Sequence, residues 1–150
     1  MQLDDLYREI IMDHYQNPRK RGELPDASVS VGFKNPTCGD VIQMQLKVSP
    51  EGTIEDARFL GEGCSISMSA SSMMTEALVG KSLTAAEQLA FNMRRMMLHE
   101  DVSEDEVGEL DALRGVKNFP SRIKCATLSA NAVEKALLEL KEKGGSADGY

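Results

Sequence analysis

Tryptophan is absent from this 150-residue sequence, and tyrosine and phenylalanine number only three and four. A core must therefore be built from aliphatic side chains and from nine methionines, most of them between Met68 and Met97, whose flexible chains fill irregular gaps. Positive charge is also short: 17 Lys and Arg against 24 Asp and Glu leave a net charge of −7, with Arg19-Lys20-Arg21 the one basic run. That balance excludes nucleic acid as a partner, because phosphate contacts require clustered cations. No apolar run approaches the ~20 residues of a membrane span, so no membrane role is expected. Asp4 and Asp5 stand where a signal peptide would carry positive charge, which makes the expected location cytoplasmic. Cysteine is limited to Cys38, Cys64 and Cys125, and an odd count in a reducing compartment argues against a disulfide framework.

What is present reads as one domain over residues 1–150, of a length that buries a core unaided. Leu3, Leu6, Tyr7, Ile10, Ile11, His14 and Tyr15 recur at helical spacing, and Asn17-Pro18 stops the helix. His14 lies on the apolar stripe and is expected to be packed and hydrogen-bonded rather than a ligand. Residues 17–27 form a loop. Alternation then predicts two strands, one with Val29, Val31 and Phe33 and one with Ile42, Met44, Leu46 and Val48 opposite Gln43, Gln45 and Lys47; Ile54 to Leu60 reads as the third, with poor alternation. The Ser49-Pro50-Glu51-Gly52 turn between the last two makes an antiparallel meander the expected sheet. Helices follow at Ser65–Leu78, from Ser82–Thr84 to near Leu98 with Thr84 and Glu87 as a capping pair, and from Pro120 or Ser121 onward. The fold class is α+β, a three-stranded antiparallel sheet covered by helices. Residues 100–111 hold seven carboxylates and no basic group, and read as a solvated face. The tail at about 144–150 is expected to be disordered.

The chemistry concentrates in Asn35-Pro36-Thr37-Cys38-Gly39-Asp40, a turn with a thiol and a carboxylate two residues apart. Cys64 follows the Gly61-Glu62-Gly63 elbow before a helix, and Cys125 lies near a helix start, one turn after Arg122. Three thiolates and Asp40 make a four-coordinate set suited to zinc, a −2 centre that Arg122 would offset. The competing reading is three buried thiols. Intervals of 25 and 60 residues between the cysteines carry no CxxC-type signature, so spacing leaves both open.

Asn-Pro-x-Cys-Gly-Asp at 35–40, Gly-Glu-Gly-Cys-Ser-Ile-Ser at 61–67, Ala-Ser-Ser-Met-Met-Thr-Glu at 70–76 and Gly80-Lys81-Ser82 resemble the IscU/NifU-type iron–sulfur assembly family. The resemblance spans the chain from Leu6-Tyr7 to the helix of Cys125. It implies an IscU-like (SufE/IscU-type) sandwich, with Cys38, Asp40, Cys64 and Cys125 as ligand positions. IscU itself carries a histidine before the third cysteine, within a chaperone-read segment. Here the residues are Ser121-Arg122-Ile123-Lys124-Cys125, and the Cys64–Cys125 interval holds an extra acidic segment around 99–118. Both features resemble the SufU branch. That branch implies a zinc-bound sulfurtransferase partnering a SufS-type PLP-dependent cysteine desulfurase and passing sulfur to downstream SUF scaffold components. Cys38 would take the outer sulfur of the persulfide after a desulfurase histidine replaces it on zinc, and Arg122 resembles an arginine near the released cysteine. The alternative implied by the wider family is a scaffold assembling a [2Fe-2S] cluster on the same cysteines. A structural zinc domain fits poorly with a carboxylate ligand, and His99 is expected to be a surface residue.

Overall fold

The computed structural model describes residues 2–35 and 39–144, with side chains from Tyr7 to Asn35 and from Gly39 to Glu142. Cys38 and residues 145–150 of the expected tail lie outside the described residues. In chain order the elements are α1 (Gln2–Gln16), β1 (Val29–Lys34), β2 (Val41–Val48), β3 (Ile54–Glu62), α2 (Ser65–Leu78), α3 (Leu83–Met97), the single-turn α4 (Glu104–Val107), a 3-10 segment (Gly108–Asn118) and α5 (Pro120–Gly144). The strands form an antiparallel meander in the order β1-β2-β3, with helices packed against it, the α+β architecture expected. None of the helices among the described residues is long and apolar enough to cross a membrane.

Alternation sets the sheet's inner face. Val29, Val31, Ile42, Met44, Leu46, Ile54, Ala57 and Phe59 are buried there. The weak alternation of β3 has a local cause: Val48 pairs with Ile54 while Lys47 pairs with Asp56, so Glu55 is an extra residue that lets Ile54 and Ala57 share a face. Gln45 departs from the expected pattern. It is buried on the outer face because the 17–27 loop folds over it, its Oε1 accepting from Leu24 N–H at 2.9 Å and its Nε2 donating to Gly22 C=O at 3.2 Å. The same loop pairs with the free edge of β3 through Gly22 N–H to Phe59 C=O and Phe59 N–H to Lys20 C=O, both 3.0 Å. On the opposite edge, Lys135 Nζ caps the Gly32 carbonyl at 2.9 Å. Both sheet edges are thus occupied in part by the chain itself, which limits pairing with other chains.

Helix α2 packs against α1, α5, β3 and the 3-10 segment. Its small residues permit that crowding, and three of its hydroxyls are satisfied within the helix: Ser69 donates to Ile66 C=O (3.2 Å), Ser71 to Ser67 C=O (2.8 Å) and Thr75 to Ser71 C=O (2.7 Å). The methionines Met68, Met73, Met74, Met93, Met96 and Met97 are core residues, as the scarcity of aromatics suggested. Helix α3 is capped by Ser82, whose hydroxyl accepts from Ala85 N–H at 3.1 Å, two residues earlier than the Thr84–Glu87 pair expected. A capping box does occur, at Ser103 and Glu106.

The acidic stretch is only half solvated. Val102, Val107, Leu110, Leu113 and Val116 are buried in the common core, and Arg95 and Arg114 pair with Glu100, Glu106 and Asp111. His14 ties this segment down. It is fully buried, with Nδ1 2.7 Å from Ser72 Oγ on α2 and Nε2 2.8 Å from Glu109 on the 3-10 segment. Replacing His14 with Ala removes both bonds and opens a cavity where three elements meet. Urea denaturation is expected to show a loss of about 2–4 kcal/mol; a change below about 0.5 kcal/mol, the range of an ordinary surface substitution, would contradict the clasp.

Candidate metal centre

Two turns bring the candidate residues together. The β1–β2 hairpin closes with Asn35 N–H to Asp40 C=O at 2.8 Å and Gly39 N–H to Asn35 C=O at 3.0 Å. Gly39 has φ of 77°, a left-handed conformation that glycine adopts without steric cost. This geometry sets Asp40 at the mouth of β2 with its side chain buried. Across the sheet, Val41 pairs with Glu62, so the chain leaving β3 passes directly beside Asp40.

That passage is too tight for side chains. A Cβ on Gly61 would lie 2.3 Å from Val41 O, and one on Gly63 would lie 2.4 Å from Ser67 Oγ and 2.8 Å from the Asp40 carboxylate. Cys64 then occupies the N-cap position of α2, where its carbonyl receives the Met68 N–H at 3.0 Å. Cys125 enters from the second turn of α5, almost completely buried.

The Asp40 carboxylate and the Cys64 and Cys125 sulfurs lie within 4.8 Å of one another, with Cys64 Sγ 3.9 Å from Asp40 Oδ2. Burial acts to raise the Cys64 thiol pKa. The backbone N–H and hydroxyl of Ser67, the Cys125 side chain and the Ile66 N–H outweigh it, and the net shift is downward. Arg122, one turn before Cys125 and exposed, is hydrogen-bonded to Cys125 and attracted by the charges of Cys64 and Cys125, which raises its pKa further. Two sulfurs and a carboxylate oxygen form a donor set that fits Zn²⁺ in softness, and the flanking guanidinium offsets its negative charge. The space that a Gly63 side chain would fill is what lets the carboxylate reach the sulfurs.

Of the five site residues expected from sequence, Asp40, Cys64, Cys125 and Arg122 converge here, and Cys38, two residues before Asp40, lies outside the described residues. Gly63 and Ser67 belong to the same environment but were not anticipated. The Gly-x-Gly-Cys run reads as a flexible elbow that permits close backbone approach, and what it approaches is Asp40 and Ser67. A second cluster, His14, Glu76 and Glu109, has a comparable spread. There a Ser72 hydroxyl donating to Nδ1 and an Nε2–H donating to Glu109 satisfy the ring without a cation. His99 is exposed at a φ of 65° with Nε2 against the Lys117 carbonyl at 3.1 Å, remote from ligand duty.

Residues 6–146 match the family model described as NifU-like N terminal domain. The zinc-dependent sulfurtransferase SufU of Bacillus subtilis is 48% identical over 145 residues, 96% of each chain. The iron–sulfur cluster assembly scaffold protein IscU of Streptococcus pyogenes is 44% identical over 136 residues, covering 90% of this chain and 84% of that one. Among solved structures, a putative iron–sulfur cluster assembly scaffold protein for the SUF system from Fervidobacterium islandicum superposes with a TM-score of 0.80 at 32% identity, covering 86% of this chain and 94% of that one. A NifU-like protein from Brucella abortus shares the fold at 20% identity, with a TM-score of 0.85 and coverage of 95% and 99%.

The close packing at Gly63 yields a direct test. Gly63→Ala is expected to push Asp40 and Ser67 apart and lower zinc affinity by roughly tenfold or more, the scale seen when groups supporting metal ligands are removed. Competition with a chromogenic chelator measures it; an unchanged affinity would contradict the packing argument. In metal-free protein, Cys64 is expected to be alkylated before Cys125, being half-buried with a depressed pKa where Cys125 is enclosed. Mass mapping after brief iodoacetamide treatment resolves the order, and zinc should protect both.

Proposed function

The chain belongs to the NifU-like N-terminal domain family, and on that footing we propose that it is a zinc-bound sulfur acceptor for a SufS-type cysteine desulfurase in iron–sulfur cluster assembly. The observation that carries this reading is the convergence of Asp40, Cys64 and Cys125 within 4.8 Å, with Arg122 against the sulfurs. Cys38 would complete the ligand set and serve as the acceptor, the chain acting as one cytoplasmic domain.

The division of labour follows from the surroundings of each thiol. Cys125 is enclosed, and Cys64 is half-buried and held by hydrogen bonds from the start of α2, so neither suits attack on a sulfur presented by another protein. Cys38 belongs to the hairpin connection. Bound zinc would keep the thiols deprotonated at neutral pH and mask them until the partner docks. The Cys38 thiolate then attacks the outer sulfur of the desulfurase persulfide; the S–S bond of that persulfide breaks, and its cysteine leaves as thiolate. No external oxidant or reductant is consumed. Arg122 stabilises negative charge on the sulfurs during the exchange, and the product passes to SUF scaffold components.

A second reading has support in the relatives named as IscU scaffolds: the same donors would hold a [2Fe-2S] cluster. The measurement that separates the two is desulfurase turnover, as alanine formed from cysteine, with zinc-loaded protein added. Sulfur transfer predicts strong stimulation that disappears in Cys38→Ser. No stimulation by a fully zinc-loaded sample would overturn it in favour of the scaffold.

A further inference from the structure

The Cys64 carbonyl accepts two hydrogen bonds, from Met68 N–H at 3.0 Å and from the Ser67 hydroxyl at 3.1 Å. The first is the ordinary bond of the opening helical turn, so the second is redundant for satisfying that carbonyl. Ser67 Oγ also lies 3.7 Å from Cys64 Sγ. The serine is fully buried, so bulk water does not compete for its proton. The Gly63 backbone passes close to the same oxygen, since a Cβ there would sit 2.4 Å from it.

The inventory of protons changes when a metal binds. As a thiol, Cys64 directs its own S–H towards Asp40 Oδ2, 3.9 Å away, and the Ser67 proton goes to the carbonyl. As a metal-bound thiolate the sulfur has lost that proton and is an acceptor only. Rotation about the Ser67 Cβ–Oγ bond then redirects the hydroxyl proton to the sulfur without moving a heavy atom, and Met68 keeps the carbonyl satisfied.

We propose that Ser67 is a positioning residue of the metal centre, its hydroxyl donating to the Cys64 thiolate in the loaded protein. The bond holds the sulfur's lone pairs in a fixed direction and draws electron density from it, so Cys64 remains a ligand while the acceptor role falls to another thiol. This rests on Asp40, Cys64 and Cys125 holding a metal, and not on the identity of the sulfur acceptor.

Cobalt(II) loading tests it through the thiolate-to-cobalt charge-transfer band. Ser67→Ala is expected to move that band to lower energy and to weaken metal affinity by roughly tenfold. Ser71→Ala is the control, because Ser71 makes the same kind of bond one turn later, to Ser67 C=O at 2.8 Å. It should leave the band in place. A band identical in wild type and Ser67→Ala overturns the proposal. Absence of any such band in the wild type would overturn the metal centre itself. Wild-type protein loaded with a spin-half cadmium isotope gives a readout that needs no variant: scalar coupling from the metal to the Ser67 hydroxyl proton supports the bond, and coupling confined to cysteine protons contradicts it.

Discussion

The Asp40 carboxylate lies so close to the Gly63 backbone that a single methyl group there would collide with it, and the arrangement of the candidate site depends on that closeness. The approach is set by sheet register, because Val41 of β2 pairs with Glu62 of β3 and the chain must then leave β3 past the Asp40 carboxylate. Glycine at 61 and 63 is a consequence of that path. With larger residues the elbow would swing outward, and Cys64 would be carried off with the start of α2.

The rest of the chain converts this local contact into a three-sided site. Helix α2 is lined with serine, alanine and threonine, which lets α1 and α5 pack close to it, and their approach brings Cys125 to Cys64. Burial of so many hydroxyls is tolerable because the helix's own carbonyls accept several of them. The same hydroxyl chemistry continues to the end at the candidate site, where Ser67 reaches both the Cys64 carbonyl and its sulfur. Structural and chemical demands on this helix are therefore met by one residue type. At the far side, His14 joins α1 to α2 and to the segment after α3, so the acidic stretch is part of the frame.

Elements with strong local punctuation were legible in sequence. Helix α2 has the expected bounds because glycines flank it, and α5 begins at Pro120, where proline suits a first turn. The region from 99 to 118 was not legible as structure: its buried residues are spaced irregularly among carboxylates, and a long 3-10 segment has no 3.6-residue period to reveal it. Gln45 was expected on the exposed face because alternation knows nothing of a loop that later covers it. At the site, residue types suggested a metal, but spacing alone could not separate a cluster from three isolated thiols. Sheet register and helix packing over long sequence distances decide that Asp40, Cys64 and Cys125 meet. Gly63 and Ser67 acquire meaning only once those distances are known.

Zinc K-edge X-ray absorption on the loaded protein tests the central claim most directly, because it counts the atoms around the metal. Coordination by Cys38, Cys64, Cys125 and Asp40 predicts three sulfurs at about 2.3 Å and one light atom at about 2.0–2.2 Å. A first shell with fewer than three sulfurs, or one with four and no light atom, would contradict it.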